Sequence, residues 1–457
     1  MQLIYNVKDK PKFSQNIVFA IQQLLAIMTA TLVVPVIIGN GMQPAAALFG
    51  AGIGTLVYLL FTKFRSPVFL GSSFAFLGSM AAAFAGAATI ELGYLGLIIG
   101  AVCAGLVYVI IAIIVKAVGT AWIDKLMPAS VIGPTVAIIG LSLAGNAVGD
   151  MLKGNVTNAE GAVLAIQPVT VLVGVITLIV VALCATFGKK MMRMIPFIIG
   201  ILAGYAVALI LTIIGKSAGI EAIQILNWQP ILDLAKDGVN VYTFITIPEF
   251  TFVKALGGFS AIDGAYIGTV VVAYAPVAFV VFAEHLADHK NISSIIEQNL
   301  LEEPGLHRTL LGDGIGSMAG AIFGGCPNTT YGESVGCVAI SGCASVYTIL
   351  LTACLAIVVS FVAPFVAFVN SIPSCVMGGV CMALYGFIAV SGLKMVQKVD
   401  LNQNRNLFVV SSILIAGIGG LTLTFGKVTL TSIACALILG IIVNIVLAVA
   451  DKKASKQ

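Results

Sequence analysis

The chain has 457 residues, of which 60% are hydrophobic and only 9% charged. A soluble domain carries about a quarter charged residues, so the composition excludes an ordinary water-soluble fold. The net charge of +4 is scattered over many short hydrophilic stretches, which excludes a basic nucleic-acid surface, and nine cysteines without a CxxC pair or Cys/His spacing exclude the familiar metal and redox motifs.

Apolar runs of the length needed to cross a bilayer recur along nearly the whole chain. The weak alternating segments of a membrane β-barrel are absent. The first run, Ile17–Ile38, is too long for a cleavable leader and has no small-residue cleavage site. The sequence therefore predicts an all-α polytopic membrane protein. In chain order its fourteen segments are 15–39, 43–62, 67–84, 91–117, 129–149, 166–187, 194–215, 269–298, 312–326, 331–345, 346–370, 372–392, 406–426 and 430–450. Segments 67–84 and 331–345 are short and broken by Gly, Ser or Pro, and 312–326 is also short. The connection 216–264 is long and mixed, with Pro230 and Pro248, and is expected to hold interfacial or extracellular structure.

Basic residues orient the segments. With the N-terminus inside, only Lys153, Lys216, Lys236, Lys254 and Lys427 fall outside, and the remaining eighteen of the 23, Lys190 and Lys456 among them, fall on the cytoplasmic side. This bias predicts a multi-pass cell (inner) membrane protein with both termini cytoplasmic.

The third segment reads SPVFLGSSFAFLGSM (Ser66–Met80) and the tenth TTYGESVGCVAISG (Thr329–Gly342). They occupy the same place in two sets of seven. Short, Gly-interrupted segments at matching positions predict inverted 7+7 repeats with a binding site between them. Backbone groups freed there must face protein, water or ligand, and helix N-termini add partial positive charge. The tenth segment also carries an acid, Glu333. A second acid, Glu284, lies in VVFAEHLADHKN (Val280–Asn291). Apolar residues resume at Ile292, so the segment reads as one helix with a polar centre. An ionisable residue inside a span is costly and marks function by default. Glu284 and Asp288 are spaced i, i+4 and share a helix face; His285 and His289 share the neighbouring one.

AEHLADH, EEPGLHRTLLGDGIGS, GGCPNTTYGES and SSFAF, with LVVPV (Leu32–Val36) and MGGVCMALYG (Met377–Gly386), together resemble the uracil permeases of the nucleobase–ascorbate transporter family, also called nucleobase–cation symporter 2. The resemblance covers essentially the whole chain. It implies fourteen segments in two inverted repeats, with short antiparallel strands in segments three and ten. It also implies a core domain (15–117 and 269–370) and a gate domain (129–248 and 372–450). By the same resemblance Glu284 and Glu333 bind the base, the backbone at Phe74 and Gly332 contributes, and Tyr331 and Tyr385 neighbour the pocket. The chain departs from the family pattern in three places. Ser334 stands where the signature has Asn, and Ser341-Gly342 stands where it has Thr-Arg. On the first helix, where members often carry His near Gln, this chain has Gln22-Gln23.

Uracil presents two N–H donors and two carbonyls in one plane. Carboxylates accept from the former in charge-assisted bonds, and free backbone N–H groups suit the latter. No basic residue lies in either broken segment, which argues against an anion carrier or channel of related architecture. A xanthine or purine–cation symporter of the same fold is the nearer alternative. Aromatic rings at Phe74, Phe76, Tyr331 or Tyr385 are candidates for stacking. For ion coupling Glu284 is the first candidate proton carrier, with His289 or Asp288 as partner, and sodium is the alternative ion. The expectation is thus a transporter rather than an enzyme, moving unchanged uracil by alternating access, needing no cofactor or metal. The family further implies a homodimer.

Overall fold

The computed structural model describes residues 3–158, 162–189, 191–236, 238–425 and 428–454. Lys190, Lys427 and Lys456 lie outside the described residues.

The first apolar runs form α1 (Phe13–Ile38) and α2 (Pro44–Phe61). Segment 67–84 passes through strand β1 (Leu70–Ser72) and a 3-10 turn before α3 (Leu77–Ala85). Next come α4 (Ile90–Val118), α5 (Ala129–Ser142), α6 (Ala144–Met151), α7 (Gln167–Phe187) and α8 (Pro196–Ala218). Among the described residues the connection after α8 holds short helical turns, and many of its apolar side chains are exposed: Val239 is 76% and Tyr242 81% exposed.

Helix α9 (Gly264–Ile296) opens where the Asp263 side chain accepts from the Tyr266 N–H and runs unbroken for 33 residues. The polar stretch from Glu284 to Asn291 therefore sits inside a helix, as its flanking apolar residues predict. Helix α10 (Leu306–Gly324) leads to β2 (Asn328–Thr330) and the ten-residue α11 (Gly332–Ser341). The predicted segment 346–370 is two helices, α12 (Val346–Ser360) and α13 (Ala363–Ser371). Pro364, in the first turn of α13, tolerates a helix start and not a helix interior, which explains the break. The chain ends with α14 (Ser374–Val396), α15 (Asn404–Ile418), a hairpin of β3 (Leu423–Phe425) and β4 (Val428–Leu430), and α16 (Ser432–Ala454).

Among the described residues nine helices are long and apolar enough to cross a bilayer: α1, α2, α4, the α5–α6 pair, α7, α8, α9, α14 and α16. Helix α10 is not, because it trades apolar side chains for glycines and carries Asp313. Packing falls into two groups. Helix α2 packs against α1, α10 and α12, and α4 against α9 and α10; α14 packs against α5, α6 and α7, and α15 against α16 and α5.

The α2–α10 crossing explains how β2 is held. Gly50 and Gly54 on α2 face Gly316, Gly320 and Gly324 on α10, and a Cβ on Gly50 or Gly324 would run into the opposite backbone. Small residues of this kind let two membrane helices approach closely. The fully buried Asn328 side chain occupies the space left, donating from Nδ2 to Gly50 O at 3.0 Å. A Cβ on Gly54 or Gly320 would overlap its amide.

Candidate functional site

The site begins with the two short strands. They pair antiparallel, Leu70 with Thr330, Gly71 with Thr329 and Ser72 with Asn328. Backbone bonds Ser73 N–H to Pro327 O (2.9 Å) and Tyr331 N–H to Phe69 O (3.2 Å) extend the ladder at both ends. With so short a sheet, side chains finish the satisfaction of its backbone. The Thr55 hydroxyl takes the Leu70 N–H (2.9 Å) and bonds Leu70 O (3.2 Å). Tyr331 donates to Ser72 O at 2.8 Å, its ring lying where a Gly71 side chain would be. Each strand feeds a short helix, so the N-termini of the Phe74 turn and of α11 both start at the sheet. First-turn N–H groups lack intrahelical acceptors and favour an acceptor or an anion. Glu333 sits in the first turn of α11.

A cavity of about 420 Å³ opens beside this helix end. Gly332, Glu333 and Gly336 line it from α11, and Glu284, Asp288 and Asn291 from α9. The opposite wall carries Phe197, Phe387, Ser391 and the exposed Arg193. Glu284 and Asp288 thus share one face, as their spacing predicts. Thr330 Oγ1 donates to Asp288 Oδ2 at 2.8 Å, tying α9 to β2. Three carboxyl groups on one side of a cavity present acceptor oxygens, so N–H donors are favourable guests.

A second cavity, about 570 Å³, is lined by Phe74, Ala75 and Gly78 with Asn40, Asn146 and Thr431. Phe74 belongs to this one, and its ring meets Tyr385 edge-on at 5.6 Å. Tyr331 and Tyr385 are both buried and line neither cavity. Of the residues singled out from sequence, Glu284, Glu333, Gly332 and Asp288 therefore come together. Phe74 and Tyr385 form a separate contact, and Tyr331 serves the strands.

His289 faces away from the cavity. It is fully buried, with Nδ1 bonded to the His285 carbonyl (2.9 Å) and Nε2 to Tyr58 OH (2.7 Å). A carbonyl only accepts, so Nδ1 carries the hydrogen; in the neutral ring Nε2 is then the acceptor and Tyr58 donates. His285 stacks on His289 with ring centres 3.9 Å apart and bonds Asp313 Oδ2 (2.7 Å) and Thr309 Oγ1 (2.9 Å). Tyr58 continues to Ser66 at 2.7 Å. This network lies behind Glu284, on the far face of α9. Sequence reasoning passed over Asp313, although the rule that singles out Glu284, an acid inside a predicted span, applies to it equally.

Gln23 and Ser334 are the other residues whose role emerges only here. The buried Ser334 hydroxyl accepts from Phe69 N–H (3.0 Å) and from Gln23 Nε2 (2.5 Å), joining α1, the approach to β1 and the first turn of α11.

A sequence profile of the Permease family matches residues 14–426. The uracil permease of Bacillus subtilis (strain 168) is 36% identical over 449 residues, covering 96% of this chain and 94% of that one. The uracil permease of Bacillus caldolyticus is 35% identical over 447 residues, covering 97% and 94%. The uracil permease of Escherichia coli (strain K12) is 34% identical over 437 residues, covering 95% and 92%. Among solved structures, the transmembrane domain of a cyanobacterium bicarbonate transporter aligns with TM-score 0.62 at 17% identity, over 96% of this chain and 100% of that one. The murine Solute Carrier 26 family member A9 anion transporter, in its inward-facing state, aligns with TM-score 0.66 at 11% identity, over 97% and 69%. At these identities the likeness is one of fold.

Proposed function

The chain belongs to the permease family, among the uracil permeases of nucleobase–cation symporter 2, a multi-pass membrane transporter and not an enzyme, and from that premise we propose that it imports uracil with a proton by alternating access. The single observation that carries the reading is the convergence of Glu284 and Glu333 on one cavity at the N-terminus of α11. Carboxylate oxygens there accept the two uracil N–H groups, and first-turn backbone N–H groups at Gly332 donate to a uracil carbonyl. Three carboxyls against one guanidinium make the cavity unfit for an anion, although the fold is shared with anion carriers.

The remaining features of the reading follow the family. Fourteen segments form two inverted repeats, with both termini in the cytoplasm of a cell whose inner membrane holds the protein. The core domain (15–117 and 269–370) moves against the gate domain (129–248 and 372–450), and two copies pair through the gate. Glu284 carries the coupled proton and Asp288, one turn along the same face, modulates it. His289 acts only through the helix it braces.

Binding of uracil to the purified protein and uptake into cells test this. Glu284→Ala and Glu333→Ala are expected to abolish uptake while the protein remains folded in the membrane. Excess unlabelled uracil, and not xanthine or guanine, is expected to compete with labelled uracil. Accumulation should collapse with a protonophore. Full uptake in both Ala variants would overturn the site, and loss of uptake on sodium removal but not with protonophore would overturn the ion.

A further inference from the structure

The helix that begins with Glu333 is held at its other end by the N-terminal segment. Helix α11 ends at Gly342, whose φ of +69° is a left-handed conformation that glycine adopts without strain. The freed Gly342 carbonyl accepts from Ile4 N–H (2.8 Å) and Tyr5 N–H (3.2 Å). Tyr5 lies parallel to Cys343, and the pairing continues with Ala344 N–H to Tyr5 O (2.9 Å) and Val346 N–H to Val7 O (3.0 Å). The Ser345 hydroxyl donates to Asp9 O at 2.6 Å. Val7 is 3% exposed and belongs to a small apolar core with Val335 and Val338, the inward face of α11, and with Tyr58 and Ile292. Tyr5 is anchored in turn, its OH bonding Gln15 Oε1 at 2.7 Å on α1.

Between its ends α11 packs on α1 and α9, and Ser334 ties its first turn to Gln23 and Phe69. It spans ten residues, its cavity face is Gly332, Glu333, Gly336, Cys337 and Ile340, and beyond the helix's own backbone and the adjacent residues nothing lies within 4 Å of a Cβ built on Gly336. An isolated helix this short is not stable by itself, so its position depends on these partners and on what grips its ends, β2 at one and residues 4–9 at the other. We propose that residues 4–9 are a positioning element of the binding site, a clamp that fixes the tilt and depth of α11 and so the place of the Glu333 carboxylate. Gly342, where the chain departs from the family signature, is the residue that admits the clamp. The inference rests on Glu333 as a uracil ligand.

The test compares purified wild type with a deletion of residues 1–9, with Tyr5→Pro, which removes one donor to Gly342, and with Val7→Ala. Uracil affinity and amide hydrogen exchange across 332–346 are measured for each. The clamp predicts affinity roughly tenfold weaker for Tyr5→Pro and Val7→Ala, the scale of one or two lost buried contacts. It predicts faster exchange in α11 with unchanged protection in α2 and α10. Val7→Ile restores both readouts, and Lys12→Ala, exposed and beyond the clamp, leaves them as in wild type. Should the deletion not fold, the point variants decide. Affinity within twofold of wild type and unchanged α11 exchange in both point variants would overturn the clamp. A wild type that does not bind uracil, or a Glu333→Gln variant that binds it normally, would instead overturn the site reading, and the exchange data would still judge the clamp.

Discussion

Replacing Ser334 by alanine removes a single buried oxygen that serves two donors. Phe69 N–H, 3.0 Å away, is left without that acceptor next to β1. Gln23 Nε2 keeps only its longer bond to the Ser334 carbonyl, at 3.3 Å. An orphaned buried N–H costs about 1–3 kcal/mol and a second lost bond about 0.5–1.5 kcal/mol, so the variant loses about 1.5–4.5 kcal/mol. The loss falls where α1, the strand pair and the first turn of α11 meet, so both the melting temperature in detergent and uracil affinity should fall. The partner side is tested by a cycle with Gln23→Ala. Because the two side chains share one bond, the double variant should be less damaged than the sum of the singles by about 0.5–3 kcal/mol. Wild-type melting and affinity in Ser334→Ala, or strict additivity in the cycle, would refute the assignment of Ser334 as the joint between the strands and the acid-bearing helix.

Adding a methyl at Gly320 forces the Asn328 amide from its slot between α2 and α10. Gly320→Ala should therefore cost about 1–3 kcal/mol of stability and reduce uptake, whereas Gly145→Ala, with open space around its Cβ, should leave thermal melting at or slightly above wild type. Tyr58→Phe deletes the hydroxyl shared by His289 and Ser66. It should lower stability by about 1–3 kcal/mol in a melting experiment. Asp313→Asn disturbs the fully buried contact with His285; it should destabilise by a similar amount and reduce the rate of uptake more than uracil affinity. Arg193 is exposed on the cavity wall. Arg193→Glu should slow uptake through charge alone, with an unchanged melting curve.

The hydrophobic pattern by itself determined that the chain crosses a membrane many times, because the cost of burying charge in lipid leaves long apolar runs no other reading. It also located the two interrupted segments and the unbroken helix around Glu284, since glycine, serine and an isolated acid are conspicuous against an apolar background. The i, i+4 spacing placed Glu284 and Asp288 on one face, because helix geometry is local. Which of the remaining polar and aromatic residues reach the cavity was not local. Tyr331 adjoins Glu333 in sequence, yet the strand turns its ring onto Gly71 and its hydroxyl to Ser72. Phe74 and Tyr385 meet each other across more than three hundred residues, and His289 turns to Tyr58 on α2. The slot for Asn328 and the grip of residues 4–9 on Gly342 both depend on partners distant in the chain. Spacing along a chain decides which face a side chain takes; only packing between helices decides what that face meets.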